Sequence, residues 1–198
     1  MGMGCLSRCR FTVLVRFLIL LLLSCNGSAF AQQLTDPKVK EVFVAINKDI
    51  TALAGRSEAE ATEICGRVVA NIMDIDAVVK GASSRISDKM TAKQRADYGA
   101  AALRWAIRNC VQRNKDGAGV PMEFVGLREG EGGDRLLATR SSQPAHFVIW
   151  RLRGAGKLRA VDLLLDGVSM TLQLRDETNT LLEQHNNDID QTIAALHR

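Results

Sequence analysis

The sequence predicts an α+β domain in which helices precede and follow an antiparallel sheet of about four strands. Three observations favour this class. Apolar residues recur at helical spacing in the first half, glycine-separated runs of branched and aromatic residues follow residue 121, and helical spacing returns after residue 170. The chain has 198 residues, the length of one ordinary domain. Its composition excludes collagen, low-complexity disorder and a multi-domain assembly.

Helix-capping residues divide the first half into four predicted helices. Asp36, followed by proline, starts the first. Ser57 and Glu60 form a capping box for the second, which runs to about residue 73. A short helix is predicted over Ile75–Lys80, and Thr91 caps a long fourth helix.

The predicted strands are separated by turn-forming residues, and the last two cover 145–153 and 158–166. The glycine turn between them predicts a register with Val148 opposite Asp162. Neither strand alternates apolar and polar residues, so both sheet faces need an apolar cover, which the helices can supply. In this register, one face consists of Phe147, Ile149, Val161, Leu163 and Leu165.

Residues 1–31 are predicted to be a signal peptide, which leaves a domain over 32–198 in the periplasm. Three arginines precede a short apolar core, and Ala29-Phe30-Ala31 forms a small-x-small cleavage motif. Alternatively, Leu22-Leu23-Ser24-Cys25 resembles a bacterial lipobox, and Cys25 would then be acylated and tether the protein. Removing the three leader arginines leaves 23 basic against 22 acidic residues, which argues against a nucleic-acid partner.

Cleavage would leave two cysteines, Cys65 and Cys110, in an oxidising compartment. Their number permits one disulfide bond. Two buried thiols on helix faces fit the sequence equally well.

The sequence contains no phosphate-binding loop, nucleophile elbow, zinc-protease motif or Cys-x-x-Cys pair, and the spacing of its three histidines suits no metal. We therefore predict no catalytic residue, metal or cofactor. One alternative is a small exported enzyme that uses Asp162 and His146 as base and acid. The simpler interpretation of Asp162 is a hydrogen-bonded carboxylate at a sheet edge. A further alternative is a non-catalytic assembly factor whose apolar faces bind a partner protein.

The stretch 160–170, Ala-Val-Asp-Leu-Leu-Leu-Asp-Gly-Val-Ser-Met, followed by Arg-Asp-Glu at 175–177, resembles the MlaC-type family, also called toluene-tolerance auxiliary proteins. A second similar block covers 73–81 and 91–98. The resemblance implies an NTF2-like, cone-shaped antiparallel sheet enclosed by N-terminal and C-terminal helices. It also implies a periplasmic phospholipid carrier that maintains outer-membrane lipid asymmetry. The implied partners are an outer-membrane lipoprotein complex and an inner-membrane ABC transporter with a lipid-binding ring protein.

Such a carrier needs a large, dry, aliphatic cavity. Burial is worth about 0.8 kcal/mol per methylene, so two chains of about fifteen methylenes correspond to about 24 kcal/mol. A sheet with two apolar faces fits this need, and it also fits an ordinary packed core. We predict the following cavity-lining residues: Val68, Ile72, Met73, Leu103, Phe147, Ile149, Val161, Leu163 and Leu165. Arg151 and Arg159 are either ligands of a lipid head group or solvated charges at strand ends.

Overall fold

Helices come before and after an antiparallel sheet along the chain. The computed structural model describes residues 34–115, 119–142 and 145–197. The predicted signal peptide, 1–31, and the lipobox-like Cys25 lie outside the described residues. The elements are α1 (Pro37–Thr51), α2 (Glu58–Ile72), α3 (Ile75–Ala82), α4 (Ala92–Arg113), β1 (Glu123–Glu129), β2 (Arg135–Ser142), β3 (Ala145–Arg153), β4 (Arg159–Leu165), β5 (Val168–Ser169), α5 (Met170–Gln184) and α6 (Ile189–Leu196). The predicted α+β class is confirmed.

The predicted helix starts are confirmed by hydrogen bonds at their caps. The Asp36 carboxylate accepts from the backbone N–H groups of Lys38 and Val39, at 2.9 and 3.2 Å. In the box at α2, the Ser57 backbone N–H donates to Glu60 Oε2 at 2.9 Å, and the Glu60 N–H donates to Ser57 Oγ at 3.4 Å. These bonds satisfy N–H groups that have no partner within the helix.

The described strands form one sheet in the order β1-β2-β3-β4-β5, with every neighbouring pair antiparallel. There are five strands instead of about four, because the two-residue β5 adds an edge before α5. None of the described helices has the length and apolar character to cross a bilayer.

The predicted register between β3 and β4 is wrong. Val148 pairs with Leu165, not with Asp162, whose partner is Arg151. One reason is a longer connection: Arg153 pairs with Arg159, so the loop covers 154–158. Gly154 begins it with a φ of 139°, where a Cβ would stand 2.2 Å from the Lys157 carbonyl oxygen.

A β-bulge at Val161 is the second reason. The register shifts between Arg151 and Leu152, whose partners are Asp162 and Ala160, so Val161 is the extra residue. Because one inserted residue inverts the alternation of side chains, Leu163 and Leu165 share a face with Val148 and Trp150. The sheet face predicted from the sequence combined residues that belong to opposite faces: Phe147 and Ile149 on one side, Leu163 and Leu165 on the other.

Specific bonds join the elements around the core. A disulfide links Cys65 on α2 to Cys110 on α4, with a Cα–Cα distance of 5.8 Å, which resolves the alternatives left open by the sequence. The buried Tyr98 hydroxyl on α4 hydrogen-bonds Thr178 Oγ1 on α5 at 2.9 Å. These two links tie α4 to α2 and to α5.

Replacing both cysteines, Cys65→Ala with Cys110→Ala, should lower the free energy of unfolding by about 4 kcal/mol in the chain-entropy model. The reason is that the bond closes a loop between residues 45 positions apart, which restricts the unfolded chain. Urea unfolding followed by circular dichroism measures the change. The wild type in reducing agent serves as control and should unfold at nearly the same denaturant concentration as the variant. Equal midpoints for oxidised wild type and variant would contradict the prediction.

Candidate functional site

A cavity lies between one face of the sheet and the helices that cover it. The space between its walls is about 1060 Å³, a volume that includes the solvent at the open mouth. Most of its wall is aliphatic. The apolar lining residues are Ile50, Val68, Val69, Met73, Ala106, Cys110, Val120, Met122, Val148, Trp150, Leu163, Leu165, Val168 and Met170. A wall of this composition suits an aliphatic ligand.

The indole N–H of Trp150, in the sheet wall, is paired within the sheet. Trp150 Nε1 donates to Thr139 Oγ1 at 3.0 Å, and the Thr139 hydroxyl donates to the Val148 carbonyl at 3.3 Å. With its N–H satisfied by the fully buried Thr139, the indole contributes a large apolar surface to the cavity. The end of α2 is fixed in a similar way, because the Asp74 N–H donates to the Ala160 carbonyl at 2.8 Å.

Four of the predicted lining residues do line the cavity: Val68, Met73, Leu163 and Leu165. The other five do not. Phe147 and Ile149 lie on the opposite sheet face, and Phe147 is 39% exposed. Val161 borders a groove on that opposite face, while Ile72 and Leu103 pack in or against the core. Contact with a lipid remains a prediction for all nine.

Val148 and Trp150 were not predicted to line the cavity, because the predicted register placed them on the sheet face opposite Leu163 and Leu165. The run of apolar residues gave no period from which the bulge could be recognised. Val69 lies next to the predicted Val68 and is a lining residue that the helical pattern could have supplied.

The two arginines predicted at the head group lie away from the cavity. Arg151 and Arg153 both bond the fully buried carboxylate of Asp134, Arg153 through Nε at 2.6 Å and Nη2 at 2.8 Å. The hydrogen bonds from Arg153, and then those from Arg151, hold the pKa of Asp134 below its ordinary value although burial raises it. Arg159 donates to the Ala70 carbonyl. These guanidinium groups stabilise the fold outside the cavity.

Asp162 and His146 do not share a pocket. His146 lines the cavity, whereas Asp162 faces the groove on the other side of the sheet. The Asp162 carboxylate accepts from the Leu163 N–H at 2.9 Å, Ser169 Oγ at 2.7 Å, and the N–H and hydroxyl of Thr171 at 3.1 and 2.9 Å. This network matches the simpler interpretation of Asp162 as a hydrogen-bonded edge residue. The structure therefore does not support the proposed acid–base pair.

Polar side chains lie at the mouth of the cavity. Arg113, at the end of α4, donates from Nη2 to Gln173 Oε1 on α5 at 2.9 Å. His146 Nδ1 donates to Asp166 Oδ2 at 2.8 Å. Hydrogen bonds from the Phe147 N–H and then from His146, together with the nearby charge of Arg113, hold the pKa of Asp166 below its usual range. The cavity is thus aliphatic within and polar at one end.

A family model described as MlaC protein matches residues 37–198. The chain belongs to the MlaC family. Its fold is similar to that of the phospholipid-binding protein from Ralstonia solanacearum, solved in complex with a phospholipid, with a TM-score of 0.60 and 11% sequence identity. The match covers 81% of this chain and 95% of that one. No curated protein sequence matches the chain. The resemblance in residues 160–170 therefore identified the MlaC family correctly.

The buried carboxylate of Asp134 predicts a pH-dependent part of the stability. Because its folded-state pKa is lowered, its contribution is complete above the ordinary aspartate pKa of about 3.9 and is lost as the pH falls through the lower folded value. We expect Asp134→Asn to lower the free energy of unfolding by about 1–3 kcal/mol at neutral pH. Breaking a fully buried ion pair would lower it more, but here both guanidinium groups reach solvent.

Urea unfolding between pH 2 and pH 7 measures this contribution. The variant should lose less stability than the wild type on acidification, since its amide cannot be protonated in this range. Identical pH profiles for the two proteins would be inconsistent with the role assigned to Asp134.

Proposed function

We propose that this protein binds a phospholipid in its cavity and carries it through the periplasm between the outer membrane and an inner-membrane ABC transporter. The observation that carries the proposal is the open, aliphatic cavity in a chain of the MlaC family. The similar Ralstonia solanacearum protein, which binds a phospholipid, supports the same ligand class. Family membership also favours binding and transport over catalysis.

The open mouth suits a carrier that must release its cargo. Complete burial of two acyl chains would correspond to about 24 kcal/mol, beyond the practical ceiling of about 18–21 kcal/mol for noncovalent affinity. Incomplete shelter and the ordering of the flexible chains reduce this value. Transfer then follows differences in affinity between the carrier and its partners, and it needs no catalytic group.

The cavity also separates this proposal from the assembly-factor alternative. An assembly factor that binds a protein partner through apolar faces would favour a filled interior and a large exposed apolar patch. The described part of the chain instead places aliphatic residues around an internal space. The partners we propose are an outer-membrane lipoprotein complex and the lipid-binding ring protein of the transporter.

Leu163→Asp should abolish phospholipid binding, because it places an unpaired charge on the cavity wall. Native mass spectrometry of gently purified protein measures bound lipid, and transfer of fluorescent phospholipid between vesicles measures carriage. Phe147→Asp is the matched control, since Phe147 is exposed on the opposite face of the same strand pair. We expect wild type and control to retain and transfer lipid. Lipid-free wild type, or lipid retained by Leu163→Asp, would refute this assignment of the cavity.

The proposed location predicts a cleaved leader. Expression of the full chain in a Gram-negative host should yield a periplasmic protein whose first residue is Gln32, because Ala29-Phe30-Ala31 forms the cleavage motif. Fractionation and N-terminal sequencing test this, with Ala31→Arg as the variant expected to remain uncleaved. A membrane-bound protein that begins at acylated Cys25 would establish the lipoprotein alternative, and an uncleaved wild type in the cytoplasm would contradict both.

A further inference from the structure

One strong cation lies at the mouth of the cavity in the part of the chain that the structure describes. Among the described residues that line the cavity, Arg113 is the only arginine or lysine. It occupies the last position of α4, and its side chain is exposed to solvent. The polar Asn109 and Asn114 beside it also line the cavity, as do Cys110 and Ala106 about one and two turns earlier on the same helix. Arg113 therefore stands at the boundary between the apolar interior and water.

The Arg113 guanidinium has hydrogen-bonding capacity left over. It carries five N–H donors, of which one is directed at Gln173 Oε1. The same bond orients the Gln173 amide so that its NH₂ group remains a donor. Gln173 also lines the cavity. A guanidinium and an adjacent amide that donate toward the same space are suited to an oxyanion, above all to a phosphate.

We propose that Arg113, oriented by Gln173, binds the phosphate of a phospholipid whose acyl chains occupy the cavity. This inference rests on the proposed function and assigns the head-group contact that the sequence placed on Arg151 and Arg159. Those two arginines bond Asp134 and the Ala70 carbonyl away from the cavity.

The carboxylate of Asp166, close enough to Arg113 for their charges to interact, is already engaged. Asp166 accepts from the Phe147 N–H through Oδ1 and from His146 through Oδ2, at 2.9 and 2.8 Å. Asp166 is also held in place by the turn, where it and Gly167 have positive φ values of 50° and 84°. The Arg113 guanidinium is thus hydrogen-bonded to a neutral amide and not to this acid.

The test compares two ligands that differ only at the head group: phosphatidylglycerol and diacylglycerol with the same acyl chains and the same fluorophore. Binding of each to wild type, Arg113→Gln, Arg113→Lys and Arg85→Gln is measured by fluorescence titration. Arg85→Gln removes the same charge from an exposed ion pair with Glu183, outside the cavity lining. We expect Arg113→Gln to weaken phosphatidylglycerol binding about three- to tenfold, as for loss of a charge-assisted hydrogen bond at a solvent-exposed site, with diacylglycerol binding unchanged.

Arg113→Lys should keep part of the phosphatidylglycerol affinity, because it retains the charge and loses the planar donor group. Arg85→Gln should match the wild type for both ligands. Unchanged phosphatidylglycerol affinity in Arg113→Gln would overturn the inference. Equal weakening for both ligands would also overturn it, since Arg113 would then act only by holding α4 against α5. Failure of the wild type to bind either ligand would instead refute the proposed function.

Discussion

An apolar cavity that remains open in water is the constraint on which the rest of this structure depends. Apolar walls in water lower their free energy by closing on each other, so bonds to residues that do not line the cavity must hold the walls apart. The disulfide from Cys110 to Cys65 ties one lining residue to α2, and the bond from Trp150 to Thr139 ties another to the sheet. The buried pair of Tyr98 and Thr178 fixes α4 to α5. The wall is therefore held by directional bonds whose partners lie outside the cavity.

Features set by local interactions could be predicted from the sequence, whereas the sheet register could not. The Ser57 and Glu60 capping box depends on residues three positions apart and forms as predicted. The face of Leu163 depends on a bulge at Val161 and on the length of the loop after Gly154. In a strand pair that is apolar on both faces, a shift by one residue leaves the hydrophobic pattern unchanged. Helix-borne Val68 and Met73 were thus placed correctly, and Phe147 and Ile149 were not.

The stretch 160–170, which carried the family resemblance, consists largely of residues that build geometry. Val161 supplies the bulge, Leu163 and Leu165 form the wall, and Asp166 and Gly167 form the turn into β5. Asp162 connects that turn to the start of α5 through Ser169 and Thr171. An aspartate in an apolar strand suggested chemistry, but its four accepted hydrogen bonds assign it to this connection. The stretch identifies a shape that can enclose a ligand.

The described charges are separated in a way that suits loading and release. The cluster of Asp134, Arg151 and Arg153, one carboxylate with two guanidinium groups, lies outside the cavity, and both arginines border the groove on the opposite sheet face. The aliphatic wall can select a ligand only by length and bulk, because every methylene contributes about equally. The charged lining residue, Arg113, lies at the mouth, where water can replace any contact that breaks. A ligand that leaves the cavity head group first and acyl chains last would then leave no unpaired charge in the dry interior. An unpaired charge of this kind is the largest barrier to release that a polar wall would impose.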